Sequence, residues 1–497
     1  MIKGIMNLLV FAITLFFPFQ IISSSQGQEI GKVYTFTYSE IRSFMNFVVP
    51  AKYIGLLDDI RNAKIEGKSN KEISLLIKER YGLTEEDLGP ICREMKIPPV
   101  LIDYTRDIML NRKPILRLIV KGAITIPKGS PQYTDLIENL VPSFMRMMDE
   151  FKDHVQIKVQ LYPGGVLGDE PDFIRKMKLG ELQFAGGTLS MGEMISPALS
   201  VFDLPFLFDY EPKIYYDDLS YCQIDWILGK ASATINRLLE ENGFILAGLS
   251  DGGGYASILT GKVQIRKADD LKKITFFAFP QSRIAGEINK AFGFGKTIVC
   301  NLYKIPALIA TGMLDSMICC WYAAILSQST PYFKYVTDYP IRGVIGGIGI
   351  QSKEMSDGLL DMAKIGGIFV GITGKDALKM SRKILVEQNR VAKEVMRRKM
   401  RILESKAKQE LLNSGTFELV KIPEAELEKI KNKILPLYNQ LADKKGSYPK
   451  WFLEEILKYR EEYRSLKKRG KLTDRWYKKG IYPDGYDEFA WARTRGK

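Results

Sequence analysis

Histidine is almost missing from this sequence: His154 is the only one in 497 residues. A histidine-cluster metal site and Ser-His-Asp or Cys-His catalysis are thereby disfavoured. Cysteine is also scarce. The five residues, Cys92, Cys222, Cys300, Cys319 and Cys320, contain no Cys-x-x-Cys spacing, so thioredoxin-like and zinc readings fail. Their odd number, with two adjacent and most in apolar contexts, fits buried free thiols better than a disulfide scaffold. Mean hydropathy of −0.09 excludes a polytopic membrane protein. No motif asks for a cofactor, and no pair of carboxylates can be matched by spacing for acid–base work.

What the chain does have is ordinary globular composition, 46% hydrophobic and 26% charged, which excludes disorder. Its length gives a prior of roughly three domains. The charge balance is +14, a surplus that favours anionic surfaces without naming one. The first stretch reads as an export signal. Lys3 supplies a short basic start, Ile5 to Ile22 is mostly apolar, and Ser23-Ser24-Ser25-Gln26-Gly27 offers small residues for cleavage. An uncleaved anchor is the competing reading, which Asn7, Pro18 and Gln20 weaken. The expected location of the mature chain is the periplasm, and DNA or RNA as a partner is excluded with it.

Residues 28–114 read as a small helical appendage. Ser69-Asn70-Lys71-Glu72 has capping-box spacing, followed by Ile73, Leu76 and Ile77 at helical intervals. From Leu116 the pattern changes. Leu116–Val120 reads as a strand, a helix follows Pro131, Val155–Leu161 alternates as a second strand, and Asp169–Leu179 is helical before a short strand at Phe184. Strand, helix, strand in this order predicts parallel α/β units. A long amphipathic helix is expected from about Asp376 to Leu412, ended by Asn413-Ser414-Gly415. Residues 464–497 form a basic aromatic tail: from Lys467 onward ten basic residues meet four acidic ones, with six Trp, Tyr or Phe rings interleaved. Such a mixture can touch a membrane surface, or lie over its own domain.

Several motifs then stand in order. Tyr162-Pro163-Gly164-Gly165-Val166-Leu167-Gly168-Asp169-Glu170 turns a strand tightly into a helix, and glycine is the residue for such a turn. It continues as Lys176-Met177-Lys178-Leu179-Gly180-Glu181-Leu182-Gln183. Phe202-Asp203-Leu204-Pro205-Phe206-Leu207-Phe208 and Ala268-Asp269-Asp270-Leu271-Lys272 follow. Ile309 to Asp315 and Tyr332 to Thr337 complete the series. Together they closely resemble the DctP-type solute receptors of tripartite ATP-independent periplasmic (TRAP) transporters, over about residues 116–463. The resemblance implies an α/β, two-lobed periplasmic-binding-protein fold with hinge strands and a long bracing helix. In residues 115–463 the chain would cross between lobes near 252–256 and again near 340–375.

The resemblance also locates the ligand cleft. The family's usual anchor is an arginine in the strand after the Asp-Leu-Lys motif, where it pairs with a substrate carboxylate. That place falls on Phe277, within Thr275-Phe276-Phe277-Ala278-Phe279. The common asparagine anchor falls on Cys319, and no arginine stands near Tyr255 to Ser257. By the same alignment, Phe279, Trp321, Tyr322 and Tyr255 line the cleft, with Thr188 and Tyr133 approaching from the other lobe. Burying a carboxylate there without a partner costs several kcal/mol, so an apolar or weakly polar ligand is expected. Arg283, on the next helix, is the residue that could restore the charge.

The implied function is capture of a small molecule between two lobes and its delivery to TRAP permease membrane subunits, with no bond made or broken. A second class is an envelope binding protein that does not transport, such as a sensor, a lipid shuttle or an efflux partner. An envelope enzyme using Asp169, Glu170 or Asp315 is the third.

Overall fold

The computed structural model describes residues 32–37, 70–84, 115–128, 155–278, 282–300, 304–354 and 374–495, with isolated positions between 59 and 142. The signal segment 1–27, Phe279, Cys92 and residues 355–373 lie outside the described residues.

Two sheets make the molecule. In the first, β2 (Ile115–Ile124) is flanked in parallel by β3 (Val155–Tyr162) along residues 116–123 and by β4 (Phe184–Gly187) at its end. Antiparallel β12 (Gly347–Ser352) and β5 (Phe244–Ser250) extend the sheet beyond β4. The second sheet is built on β6 (Gly254–Thr260), which pairs with β9 (Ser316–Cys319), β10 (Tyr335–Thr337) and β11 (Arg342–Val344). Beyond β10 lies β13 (Glu418–Val420). A separate parallel pair joins β7 (Thr275–Ala278) to β8 (Lys296–Val299).

The α/β units arise as their sequence dictates. The glycine turn after β3 holds Gly164, Gly165 and Gly168 at positive φ, where a side chain would be strained. Asp169 then caps α2 (Glu170–Lys178): its own N–H is held by the Asp172 carboxylate at 3.3 Å. Acidic Glu170 and Asp172 in the first turn and Arg175, Lys176 and Lys178 in the last suit the helix dipole. The buried face is Phe173, Ile174 and Met177.

The chain passes from the first sheet to the second through Asp251-Gly252-Gly253 and returns through Ile345-Gly346. These two crossings lie against each other. The Gly252 N–H donates to the Val344 carbonyl at 2.8 Å, and a Cβ on Gly252 would stand 2.3 Å from the Gly346 backbone. Two strands that approach this closely require glycine at both positions. Gly253 and Gly254 also take positive φ, so the crossing turns where only glycine is free to turn.

One helical rod runs beside both sheets: α8 (Gly374–Val391), a π-turn segment at Ala392–Met396, and α9 (Arg397–Asn413). It closes at Gly415, with φ +71, as the Asn-Ser-Gly signal predicts. From the rod, Arg401 is fully buried and reaches Asp251 of the crossing at 2.6 Å and Asp225 at 2.7 Å. Asp225 belongs to α4 (Gln223–Glu240).

One expectation needs correction. The segment 28–114 is not wholly helical: Val33–Thr37 forms β1, parallel to β2 from Ile115 to Ile119. The helix expected after Ser69 does form, as α1 (Asn70–Tyr81). The tail lies over its own domain, one of the two readings its composition allowed. Trp476 and Tyr482 are buried, and both pack edge-on or tilted against Trp226 of α4 with centroids 4.9 Å apart. Their rings serve the core. Among the described residues no helix is long and apolar enough to cross a membrane.

Candidate functional site

The junction of the two lobes can be built strand by strand. On the first-lobe side, β4 delivers Thr188 to the start of α3 (Leu189–Ile195). The Thr188 N–H and hydroxyl both donate to the Glu170 carboxylate, at 2.6 and 3.0 Å. Gly187 permits this approach, since a Cβ there would meet the Glu170 carboxylate oxygen at 2.6 Å. Burial pushes the Glu170 carboxyl up to about 7, against the pull of the two Thr188 hydrogen bonds.

Farther along α3, Glu193 is completely buried, and its carboxyl faces the Asp203 carboxylate within hydrogen-bond reach. Asp203 follows on the next turn and is 2% exposed. It pairs with Arg342, the first residue of β11, and accepts a hydrogen bond from the Ser282 hydroxyl at 3.2 Å. Both partners lie in the second-lobe segments. Burial first, and then the Asp203 carboxylate, holds Glu193 well above the usual carboxylate range.

The second-lobe side is aromatic and thiol-rich. Phe277 is 6% exposed and stacks on Phe276, with centroids 5.0 Å apart and planes at 27°. Phe276 continues the stack onto Phe294 at 4.7 Å. Cys319 is buried at the end of β9, opposite Ser257, and burial raises its thiol. Trp321 and Tyr322 open α7 (Trp321–Leu326). Their N–H groups both donate to Glu404 of the rod at 2.9 Å, and the Trp321 ring lies 6.2 Å from Phe417.

The expected site residues therefore divide. Thr188 lies at the lobe junction, Phe277 and Cys319 sit buried on second-lobe strands, and Tyr133 is a half-buried residue of the first lobe. Tyr255 is a hinge residue: its hydroxyl donates to the Asp209 carbonyl at 2.8 Å, and its ring lies 5.1 Å from both Tyr210 and Tyr215. Trp321 and Tyr322 are tied to the rod through their backbone. Arg283 is exposed beside Gly446, so it is spent at the surface. Glu193 escaped the sequence reading; its one signal is an acidic residue inside the apolar run Leu189 to Ile195. The four described cysteines are free and buried, as their apolar settings predict.

A cavity of about 30 Å³ lies elsewhere, beneath the rod, lined by Asp225, Asp251, Asn389, Lys393 and Glu488 among others. It has room for a water or two and none for an organic solute.

With this geometry in view, comparison with known proteins agrees with the motifs. Residues 123–299 match the family model described as bacterial extracellular solute-binding protein, family 7 (DctP). The fold is that of solved TRAP periplasmic solute-binding proteins. A sugar acid binding protein of Advenella mimigardefordensis, in complex with galactonate, superposes with a TM-score of 0.54 at 18% identity, covering 70% of this chain and 99% of that one. One from Xanthobacter autotrophicus, with bound β-D-galacturonate, gives 0.53 at 19% identity over 69% and 99%. The resemblance to DctP-type receptors and the two-lobed α/β class are thus borne out. Among curated proteins, YiiZ of Salmonella typhimurium, itself uncharacterized, is 28% identical over 174 residues, 35% of this chain and 49% of that protein. A solute-binding protein of Chromohalobacter salexigens is 32% identical over 132 residues, 26% of this chain and 35% of that one. The chain spans about half the length, or less, of these curated relatives.

Proposed function

We propose that the protein is a periplasmic solute-binding protein that closes two lobes on a small ligand and delivers it to TRAP permease membrane subunits. The observation that carries this reading is the double crossing at Gly252 and Gly346, braced by Arg401, within a fold shared with solute receptors. Two thin glycine connections between separate sheets are the construction of a hinge. The chemistry is binding, and among the described residues no nucleophile–base pair stands at the junction.

The ligand is apolar or weakly polar in this reading, without the carboxylate that the solved neighbours hold. Phe277 and Cys319 occupy the places where the resembled family keeps its arginine and asparagine. The nearest guanidinium at the junction, Arg342, is already paired with Asp203. A buried carboxylate brought here would face carboxylates and rings.

Native mass spectrometry of protein purified from its own envelope tests both parts. A retained small molecule lacking a carboxylate is the expected result. A retained sugar acid or dicarboxylate would refute the ligand class, and no retained molecule together with ligand-independent X-ray scattering would refute the receptor reading.

A further inference from the structure

The tail that packs over the domain has two unlike faces. Inward, Leu472, Trp476 and Gly480 are buried at four-residue spacing. The Trp476 ring lies 4.9 Å from Trp226 and 5.7 Å from Tyr221, and the Tyr221 N–H donates to the Tyr477 carbonyl at 2.9 Å. Outward, Lys471, Arg475 and Lys479 repeat the spacing one position earlier, and all three are exposed. Arg475 and Lys479 share a face of the short helix Asp474–Lys479, one turn apart. Lys468 and Arg469 stand exposed just before them, at the end of the helix Lys450–Lys468. Residues 467–479 thus carry seven cations and one carboxylate.

The carboxylates of the tail are already engaged. Asp474 holds Lys478 at 2.7 Å, Asp484 holds Lys230 at 2.6 Å, Asp487 holds Arg493 at 3.0 Å, and Glu488 pairs with Lys393. Lys467 pairs with Glu211. Among the described residues no carboxylate stands opposite Lys468, Arg469, Lys471, Arg475 or Lys479. Like charges gathered this closely repel one another, and an anionic surface relieves that repulsion. Trp476 and Tyr482 face the core, so they offer no platform on which nucleobases could stack. Beside the cations stands Ile481, 40% exposed, whose N–H donates to the Arg475 carbonyl at 3.1 Å. Cations around one exposed aliphatic side chain match a phospholipid interface, where headgroup phosphates meet the acyl boundary.

We propose that residues 468–481 dock the protein onto an anionic lipid leaflet through its headgroup phosphates. The same helix end is tied to the hinge. Lys467 and Tyr463 hold Glu211, Arg464 holds Asp209, and the Asp209 carbonyl accepts from the Tyr255 hydroxyl. Docking here therefore orients the crossing strand relative to the membrane, whichever solute the lobes hold.

The test measures binding of protein purified from the periplasm to phosphatidylcholine vesicles with and without phosphatidylglycerol. The variant carries Lys471→Gln, Arg475→Gln and Lys479→Gln together. Its control carries Lys290→Gln, Lys296→Gln and Lys304→Gln, which remove the same charge from exposed positions of the second lobe. Each cation near an anionic leaflet tightens binding about fivefold, so the variant should bind phosphatidylglycerol vesicles about 100-fold more weakly. The control should stay close to wild type. Salt at about 1 M, where the screening length is ~3 Å, should release the wild type. Wild-type binding that ignores phosphatidylglycerol, equal losses in variant and control, or no binding at all overturns the proposal. Binding to native envelope vesicles, but not to vesicles of their extracted lipids, assigns the cations to a membrane protein and also overturns it. Should the variant fail to fold, the lipid and salt dependence of the wild type decides.

Discussion

The brace and the lobe junction, two of the buried charge clusters among the described residues, are built on opposite principles. In the brace, Arg401 is fully buried yet fully occupied. It bonds to Asp225 and Asp251 and to the Ser220 carbonyl, and Arg397 stands 3.8 Å from Asp225. Two guanidinium groups balance two carboxylates. At the lobe junction three carboxylates share one guanidinium, and Glu193 can settle beside Asp203 only by keeping its proton. A charge-balanced network fixes one arrangement of the backbone; an unbalanced one leaves an acid held protonated by burial and a neighbouring carboxylate. The rod thus sets where the crossing strand lies, and the junction holds a carboxyl pair against a single guanidinium.

The sharpest way to break this comparison is Arg401→Met. Removing the guanidinium leaves Asp225 and Asp251 buried without a cation, and breaking a buried pair in this way costs about 3–5 kcal/mol. Urea denaturation should show a loss of that size. A stability within a few tenths of wild type would mean that the brace carries no such role.

A pH profile should separate the two clusters next. Burial raises the Glu404 carboxyl to about 8, with Trp321, Tyr322 and Cys320 pulling it back, and raises Glu170 to about 7. Between an ordinary value of 4.5 and these raised ones, the folded protein binds more protons than the unfolded chain. Their stabilising contribution is therefore present in full below pH 4.5 and is lost as pH rises toward 8. Taken alone, the two shifts are worth up to about 8 kcal/mol across that window, and thermal melts should fall through it. Glu404→Gln should flatten the upper part of the profile. A melt that rises steadily from pH 5 to 8 in both proteins would contradict the direction of these shifts.

Phe277→Arg probes the ring side of the junction. It should weaken the native solute by about tenfold or more, or ~1.4 kcal/mol, because a guanidinium would face an apolar body in a buried place. Since Phe277 stacks on Phe276 within the second lobe, the melting temperature must be read beside the affinity. Unchanged affinity in a protein of unchanged stability would take Phe277 out of the site. A loss of fold would make it a core residue.

Much of the architecture was legible in the sequence, for physical reasons that differ by element. The turn at Gly164 to Gly168, the crossing at Gly253 and Gly254 and the rod's stop at Gly415 all need positive φ, so glycine marks them. The rod announces itself through Leu385, Val391 and Ala392, which are buried at helical spacing. Strand β1 was hidden because five residues, VYTFT, pair with a strand that begins at Ile115, and nothing local points to a partner so distant. The tail was legible only in composition: basic rings look alike whether they face lipid or stack on Trp226. Within the site, Phe277 could be set at the place of a family anchor only by the resemblance. The contact of Glu193 with Asp203 could not be read at all, because it is a property of the neighbours that the fold brings together.

Glu193 also permits the finest test of the contrast, in protein stripped of solute. If the brace is optimised for stability and the junction for binding, the same kind of substitution should have opposite signs in the two places. Glu193→Gln keeps the volume and can donate to Asp203 as the protonated carboxyl does, without the cost of holding a proton on a buried acid. Relief of that cost should stabilise the solute-free protein by about 0.5–2 kcal/mol, the range typical of stabilising substitutions at sites strained for function. The gain should be larger at pH 8 than at pH 5, because burial and Asp203 favour the protonated carboxyl, which glutamine resembles. Melting curves at the two pH values measure it directly. A destabilised Glu193→Gln in the absence of solute would show that the carboxylate supports the fold after all, and the two clusters would then differ in degree and not in kind.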